Sequence, residues 1–239
     1  MKRDKQKRVK KLGYIMGIQQ INKNKTGHLV VISLILLTFL SGCVTLKPES
    51  RQPSQPADNS LSAIESEDVG RGFVITETVQ MEESARNDFE EAARLLDGEA
   101  YDRAIEILEK VVGNSPNVTA PYIDLGIAYQ RTGEKEKAEA QFKKALEIFP
   151  GHPVACNQYG LLLRKEGKFD EARDIFETAL ARYPSYYPVH RNLGILYDLY
   201  LNDLAKALEH YEIYFGYVPE DAKVKIWIAD LRIRLGLGQ

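Results

Sequence analysis

Residues 119–152, TAPYIDLGIAYQRTGEKEKAEAQFKKALEIFPGH, contain within 34 positions the pattern that decides the fold of this chain. Small residues stand at Gly126 and Ala138, a bulky aromatic residue at Phe142, and a proline at Pro150. On both sides of a central glycine, apolar residues recur with the spacing of one helix face, which predicts two helices joined by a turn. Because helices cross closely where side chains are small, we expect Gly126 and Ala138 to form the contact pair of this hairpin, with Phe142 beside them.

The same residue types return along the chain at an interval of 34 residues. A small residue in the first helix, a small residue in the second, a large residue after it and a closing proline each occur four times. They are Ala92, Gly126, Gly160 and Gly194; Ala104, Ala138, Ala172 and Ala207; Leu108, Phe142, Phe176 and Tyr211; and Pro116, Pro150, Pro184 and Pro219. The last three anchors come one residue late, which places an extra residue between 194 and 207, in the turn predicted at 200–203. A fixed period of this length is typical of stacked-repeat proteins.

The repeated unit resembles the tetratricopeptide repeat, whose pattern is W-x2-L-G-x2-Y, then A-x3-F, then P. Residues 119–152 match it most fully, through Tyr122, Leu125, Gly126, Tyr129, Ala138, Phe142, Ala145 and Pro150. The resemblance implies an all-α fold, a right-handed α-solenoid of stacked antiparallel helix hairpins. Four hairpins are expected within 81–220, at 85–118, 119–152, 153–186 and 187–220. Residues 221–239 are expected to form a capping helix, with an apolar face made of Val224, Trp227, Ile228 and Leu231.

The N-terminal segment has the pattern of an export signal. Residues 2–25 carry nine basic residues against one acidic residue, and the apolar run at 29–40 is shorter than the about 20 residues of a membrane-spanning helix. The following residues, through Ser41 and Gly42 to Cys43, resemble the bacterial lipoprotein box, in which the cysteine is lipidated and becomes the first mature residue. We therefore expect a signal peptide at 1–42, starting at Met1 or Met16, and a covalent lipid on Cys43. An uncleaved anchor is the alternative.

A linker is predicted between the anchor and the repeats, at 43–80. Residues 47–68 are rich in Pro, Ser, Gln and acidic residues, a composition that does not bury enough apolar surface to fold alone. Residues 69–79 include Phe73, Val74 and Ile75 and have strand propensity, but the chain offers them no partner strand. Two alternatives remain for this segment, which either lies extended against the solenoid or is disordered in isolation.

Composition and motifs disfavour catalysis and nucleic-acid binding. Without residues 1–42 the chain has 23 basic and 33 acidic residues, and a net charge of −10 repels phosphates. Catalytic motifs and phosphate-binding glycine loops are missing, and the four histidines are isolated in sequence. We therefore predict no catalytic residue, no metal site and no cofactor besides the lipid. Apart from Cys43, the only cysteine is Cys156, which we assign to the core.

In the tetratricopeptide family the first helix of each repeat lines a concave groove. The resemblance places ten residues in this groove or at its rim, namely Phe89, Ile123, Ile127, Asn157, Leu161, Arg131, Arg164, Lys165, Arg191 and Ile195. An apolar floor beside positive charge favours a partner segment that is amphipathic and acidic over a pair of bound carboxylates. The alternative is that residues 69–80 of the chain itself fill part of this surface.

These features predict a non-enzymatic adaptor or scaffold that is lipid-anchored in the bacterial envelope and binds another envelope protein. Val44 stands after the lipidated cysteine instead of aspartate, which in the sorting rule of such lipoproteins favours the outer membrane, facing the periplasm. Proteins with this organisation assist pilus and secretin assembly, outer-membrane protein insertion or TonB-like systems, and all of these stay open. The alternative is a regulatory or targeting subunit of a cell-wall enzyme complex.

Overall fold

The computed structural model describes Ile75 and residues 81–238, so the predicted signal peptide, Cys43 and nearly all of the predicted linker lie outside the described residues. Within the described part, nine α-helices follow one another and no β-strand is present. They are α1 (Glu83–Asp97), α2 (Tyr101–Asn114), α3 (Thr119–Thr132), α4 (Lys135–Ile148), α5 (Pro153–Lys165), α6 (Phe169–Arg182), α7 (Tyr187–Leu196), α8 (Leu204–Tyr217) and α9 (Ala222–Arg234). None of these helices combines the length and the apolar character that crossing a membrane requires.

The helices pair into four hairpins, α1 with α2, α3 with α4, α5 with α6 and α7 with α8. Each second helix contacts the first helix of the next hairpin, and α9 packs on α8. The first helices also contact one another along the stack, α1 with α3, α3 with α5 and α5 with α7, so they form one continuous layer. This arrangement is the all-α solenoid with a C-terminal capping helix that the sequence predicts.

Three of the four hairpins are held by an aromatic ring that lies against a glycine, and the first hairpin has Ala92 and Leu108 at these places. A Cβ atom added to Gly126 would lie 2.6 Å from Cε1 of Phe142, and one added to Gly160 would lie 2.5 Å from Cε1 of Phe176. The atoms nearest to each of these positions are therefore those of the aromatic ring, and the pairing of Gly126 with Ala138 stays a prediction. The alanine anchors are themselves fully buried.

The turns inside the hairpins share one backbone conformation. After each first helix, one residue adopts a positive φ, and these residues are Glu99 (φ 60°), Gly133 (φ 91°), Gly167 (φ 80°) and Asn202 (φ 54°). A left-handed residue after a helix lets the chain reverse while the last carbonyl groups keep hydrogen-bond partners, and glycine adopts this conformation without a Cβ clash. The glycines that break the apolar pattern therefore mark real helix ends.

The extra residue of the last repeat lies inside a helix. α7 continues into a π-helical turn at Tyr197–Leu201, the form that an α-helix takes when one residue is inserted into it. Asn202 then takes the left-handed position that Gly133 and Gly167 occupy in earlier repeats. The extra residue thus falls between 194 and 207 as predicted, but the structure places it in the helix rather than in the turn at 200–203.

Polar contacts between residues 20 positions apart join successive repeats. Four such pairs connect the second helix of one hairpin to the first helix of the next, or to α9. They are Glu109 with Tyr129, Glu139 with Tyr159, Glu177 with Tyr197, and Glu212 with Arg232. Arg232 of α9 contacts a glutamate 20 positions earlier, as the three tyrosines do. The capping helix α9 therefore occupies the place of the first helix of a fifth repeat.

Candidate protein-binding groove

The layer of first helices carries the ten predicted groove residues, but the structure exposes only some of them. Ile123 on α3 is 1 % exposed and Ile127 is 9 % exposed, and both belong to the continuous hydrophobic core. Their assignment to an accessible groove floor is therefore wrong, because their side chains are already desolvated by the fold. Phe89 on α1 is half-buried against the same core.

Asn157 is also committed to the fold. Its side-chain oxygen accepts a hydrogen bond of 2.7 Å from the side-chain nitrogen of Asn192, and both residues are buried. This carboxamide pair joins α5 to α7 within the layer of first helices. A buried amide oxygen is costly to leave unpaired, so Asn157 joins the two helices through this oxygen.

The accessible part of the groove begins at α5 and continues on α7. Leu161 and Ile195 are half-buried on these two helices, beside the two partly exposed guanidinium groups of Arg164 and Arg191. Lys165 is exposed. Arg131, at the end of α3, is exposed as well, so the basic residues of the predicted rim remain open to solvent.

Arg164 has a hydrogen-bond donor that is not used within the described part of the chain. Its Nη1 atom is buried, and no hydrogen-bond acceptor reaches it among the described residues. Burial lowers the pKa of its guanidinium, and the neighbouring charge of Arg191 lowers it as well. A guanidinium with a buried unpaired donor and a like charge nearby favours binding of an anion at this place.

Arg191 is positioned by aromatic rings. Its guanidinium carbon lies 5.4 Å from the ring centroid of Trp227 and 6.0 Å from that of Tyr214, and its Nε lies 3.8 Å from Oδ2 of Asp221. Such cation–π contacts hold an arginine in place without removing its charge. The sequence pattern places Trp227 on the apolar face of the capping helix and gives no sign of this contact with Arg191.

The groove extends onto α9. Ile226 follows Arg191 by 35 residues, the length of the last repeat, and it is 66 % exposed. Arg234 of the same helix reaches back to Asp198 at 2.8 Å, so α9 lies beside the end of α7. The 35-residue interval from Arg191 is the sequence signal that marks Ile226 as a groove residue.

One buried acid lies in the layer of first helices. Asp124 on α3 is 1 % exposed, and its Oδ2 has no hydrogen-bond partner in the described part of the chain. Burial raises the pKa of this carboxyl to about 8, and the negative charge of Asp97 also raises it. Asp124 therefore carries a proton at neutral pH, since a buried unpaired carboxylate is strongly disfavoured.

Two histidines that are distant in sequence form a pair. His190 Nδ1 lies 3.0 Å from His210 Nδ1, and His190 Nε2 lies 2.8 Å from the carbonyl oxygen of Pro184. A carbonyl oxygen only accepts, so His190 donates from Nε2 and accepts at Nδ1 from His210. The histidines are isolated in sequence, and the packing of α7 on α8 brings His190 and His210 together.

Two further predictions, on Cys156 and on metal binding, can be compared with the described residues. Cys156 is fully buried, as predicted, and burial raises the pKa of its thiol to about 12. Among residues 81–238 no group of three or more His, Cys, Asp or Glu side chains is arranged to hold a metal ion.

Comparison with known proteins identifies the repeats. Residues 98–150 and residues 153–186 each match a tetratricopeptide repeat family model. Among solved structures, MamA (41-end) from Desulfovibrio magneticus RS-1 is 24 % identical, with a TM-score of 0.56 over 66 % of this chain and 88 % of that one.

Two further structures have the same fold. The Pseudomonas aeruginosa pilF structure is 23 % identical, with a TM-score of 0.59 over 64 % of this chain and 69 % of that one. A thermophilic TPR protein of Thermus thermophilus is 22 % identical, with a TM-score of 0.55 over 63 % of this chain and 82 % of that one. At these identities the likeness concerns the fold. The described part of this chain is therefore an α-solenoid that contains tetratricopeptide repeats, a fold whose repeats bind proteins.

Proposed function

We propose that this protein is a non-enzymatic envelope adaptor that binds another envelope protein through the open part of its groove, on α5, α7 and α9. The observation that carries the proposal is the placement of Arg164 and Arg191 beside Leu161 and Ile195. The partner segment is amphipathic, with apolar side chains against Leu161 and Ile195 and a carboxylate near Arg164. The apolar contacts supply most of the affinity, and the charges mainly set the orientation and the rate of association.

The proposed location is the bacterial outer membrane, with the repeats facing the periplasm. A lipid on Cys43 holds the protein there, and residues 44–80 connect the lipid to the repeats. The proposal rests on the basic segment, the short apolar run and the Leu40-to-Cys43 motif at the N-terminus. In this position the adaptor assembles or positions an envelope complex, by holding one component close to the membrane.

The binding surface is tested by photo-crosslinking in living cells. The photoreactive residue p-benzoylphenylalanine is introduced at position 161 or 195, and in a control at Ala181, which is exposed on α6. We expect adducts with one envelope protein from positions 161 and 195 and none from the control. Adducts from the control alone, or none from the groove, would contradict the proposal.

Charge reversal tests the role of the arginines. Arg164→Glu should reduce the yield of the adduct from position 195 strongly, because it removes the buried donor and adds repulsion. Arg173→Glu is the matched control, since Arg173 lies on α6 in contact with Asp170 and Asp174. Circular dichroism of both variants distinguishes a loss of binding from a loss of fold. Equal yields for both folded variants would contradict the assigned role of Arg164.

A further inference from the structure

The groove is closed at one end and open at the other. Ala93 on α1 is 1 % exposed at the same repeat position as Ile127, Leu161 and Ile195. Along this row exposure rises from buried on α1 and α3 to half-buried on α5 and α7, and Asp230 on α9 is exposed. A second row begins at half-buried Phe89, is buried at Ile123 and Asn157, and becomes more exposed at Arg191 and Ile226.

A residue from upstream of α1 is buried in the same core. Ile75 is 9 % exposed and belongs to the hydrophobic cluster that contains Ile123 and Ile127. Ile75 lies six positions before Met81, and an extended chain of that length spans at most about 20 Å. The 15 residues of α1 extend about 22 Å, so this reach covers most of the length of α1 from its N-terminus.

We propose that residues 69–80 occupy the groove over the first two repeats, with Ile75 inserted between the first helices α1 and α3. The segment is apolar around Phe73, Val74 and Ile75, and it matches the apolar floor of Ala93, Ile123 and Ile127. The covalent connection to α1 keeps this segment at a high effective concentration, so it competes well with any partner for that half of the groove.

Chemistry divides the groove in the same way. The floor of the covered half, with Ala93, Ile123 and Ile127, is apolar and has Arg131 only at its rim, whereas Arg164 and Arg191 lie on α5 and α7. The proposed self-occupancy therefore directs an external partner to the half that carries Arg164 and Arg191. It goes beyond the proposed adaptor function and does not depend on it, since the contact is within one chain.

Photo-crosslinking of the full-length, membrane-anchored protein tests the contact. With p-benzoylphenylalanine at position 75, mass spectrometry should find adducts with peptides of α1 and α3 of the same chain. Placed at Ala181, on the exposed face of α6, the same group should give no adduct with α1 or α3. Adducts of position 75 only with α2 or α4, only between two copies, only with another protein, or no adduct at all would overturn the proposal.

A pair of charge substitutions tests the direction of the side chain. In an extended segment neighbouring side chains point to opposite sides. Ile75→Asp should therefore lower the Tm by several degrees, whereas Thr76→Asp, which adds the same charge one residue later, should leave it nearly unchanged. If the two variants have the same Tm, whether both are lowered or both are unchanged, the proposed insertion of Ile75 is overturned. Crosslinks from positions 161 and 195 to an envelope protein are measured separately, so failure of the adaptor proposal leaves this result intact.

Discussion

Gly160 and Phe176 are in such close contact that the glycine has no room for a single methyl group. A Cβ atom at position 160 would lie 2.5 Å from Cε1 of the Phe176 ring, and that ring is fully buried. The same relationship joins Gly126 with Phe142. The distance between the two helices of a hairpin is thus set by a ring that packs directly on a glycine.

The first prediction is that Gly160→Ala destabilises the solenoid. The new methyl group forces the Phe176 ring or one helix to move, and overpacking of this kind costs on the order of 1 to 3 kcal/mol. The matched control is Gly113→Ala in α2, where a Cβ atom meets no heavy atom within 4 Å. Because alanine favours a helix over glycine by up to about 1 kcal/mol, the control should be neutral or stabilising. Urea denaturation measures the free energy of unfolding of both variants. Equal stability of the two variants would contradict the close contact of Gly160 with Phe176.

The second prediction concerns Asp124 and pH. Below about pH 4 the carboxyl is protonated in the folded and the unfolded chain. Between about pH 4 and 8 the unfolded chain loses this proton while the folded chain keeps it, because the folded pKa is raised to about 8. The free energy of unfolding then falls by up to about 1.4 kcal/mol per pH unit from this group alone.

Asp124→Asn removes this dependence. The stability of the variant relative to the natural protein should therefore grow from pH 4 to pH 8 and level off above it. Asp102→Asn, at an exposed position in α2, serves as the control and should show no such growth. Denaturation at a series of pH values measures both differences. A constant difference for Asp124→Asn across this range would show that the carboxyl is not buried.

The third prediction concerns the π-helical turn. Leu199 is exposed within Tyr197–Leu201, and its deletion restores the 34-residue interval of the other repeats. We expect the deletion variant to fold with a regular α-helical turn and with Asn202 still in the left-handed position. Deletion of Lys165, the equivalent exposed residue of the previous repeat, should be much more destabilising, because it pulls Gly167 out of its turn. Similar losses of stability in the two variants would contradict the assignment of the inserted residue.

The fourth prediction concerns the anchor. If Cys43 carries the lipid, Cys43→Ser should abolish labelling by a fatty-acid analogue and should release the protein from membranes or leave an uncleaved precursor. Cys156→Ser is the control, since Cys156 is fully buried in α5 and its labelling is not expected. Unchanged labelling of the Cys43→Ser variant would disprove the lipoprotein assignment.

The order and type of the helices could be predicted because the signals are local. The spacing of Gly126, Phe142 and Pro150 is read along one hairpin, and α4 ends at Ile148, two residues before that proline. The site was only partly predictable for a different reason. The contact of His190 with His210 and that of Arg191 with Trp227 join separate helices, so their distances depend on how the hairpins pack.

The sequence by itself determined the repeat, its period and the helical hairpins, because apolar periodicity, small residues and turn residues act over one or two helices. Only the tertiary structure decided which groove positions are accessible. Ile123 and Ile226 occupy the same place in their repeats, yet one is buried in the core and the other is exposed. Exposure depends on what covers each residue from other repeats and from upstream of α1. It is therefore a property of the whole stack, which no single repeat contains.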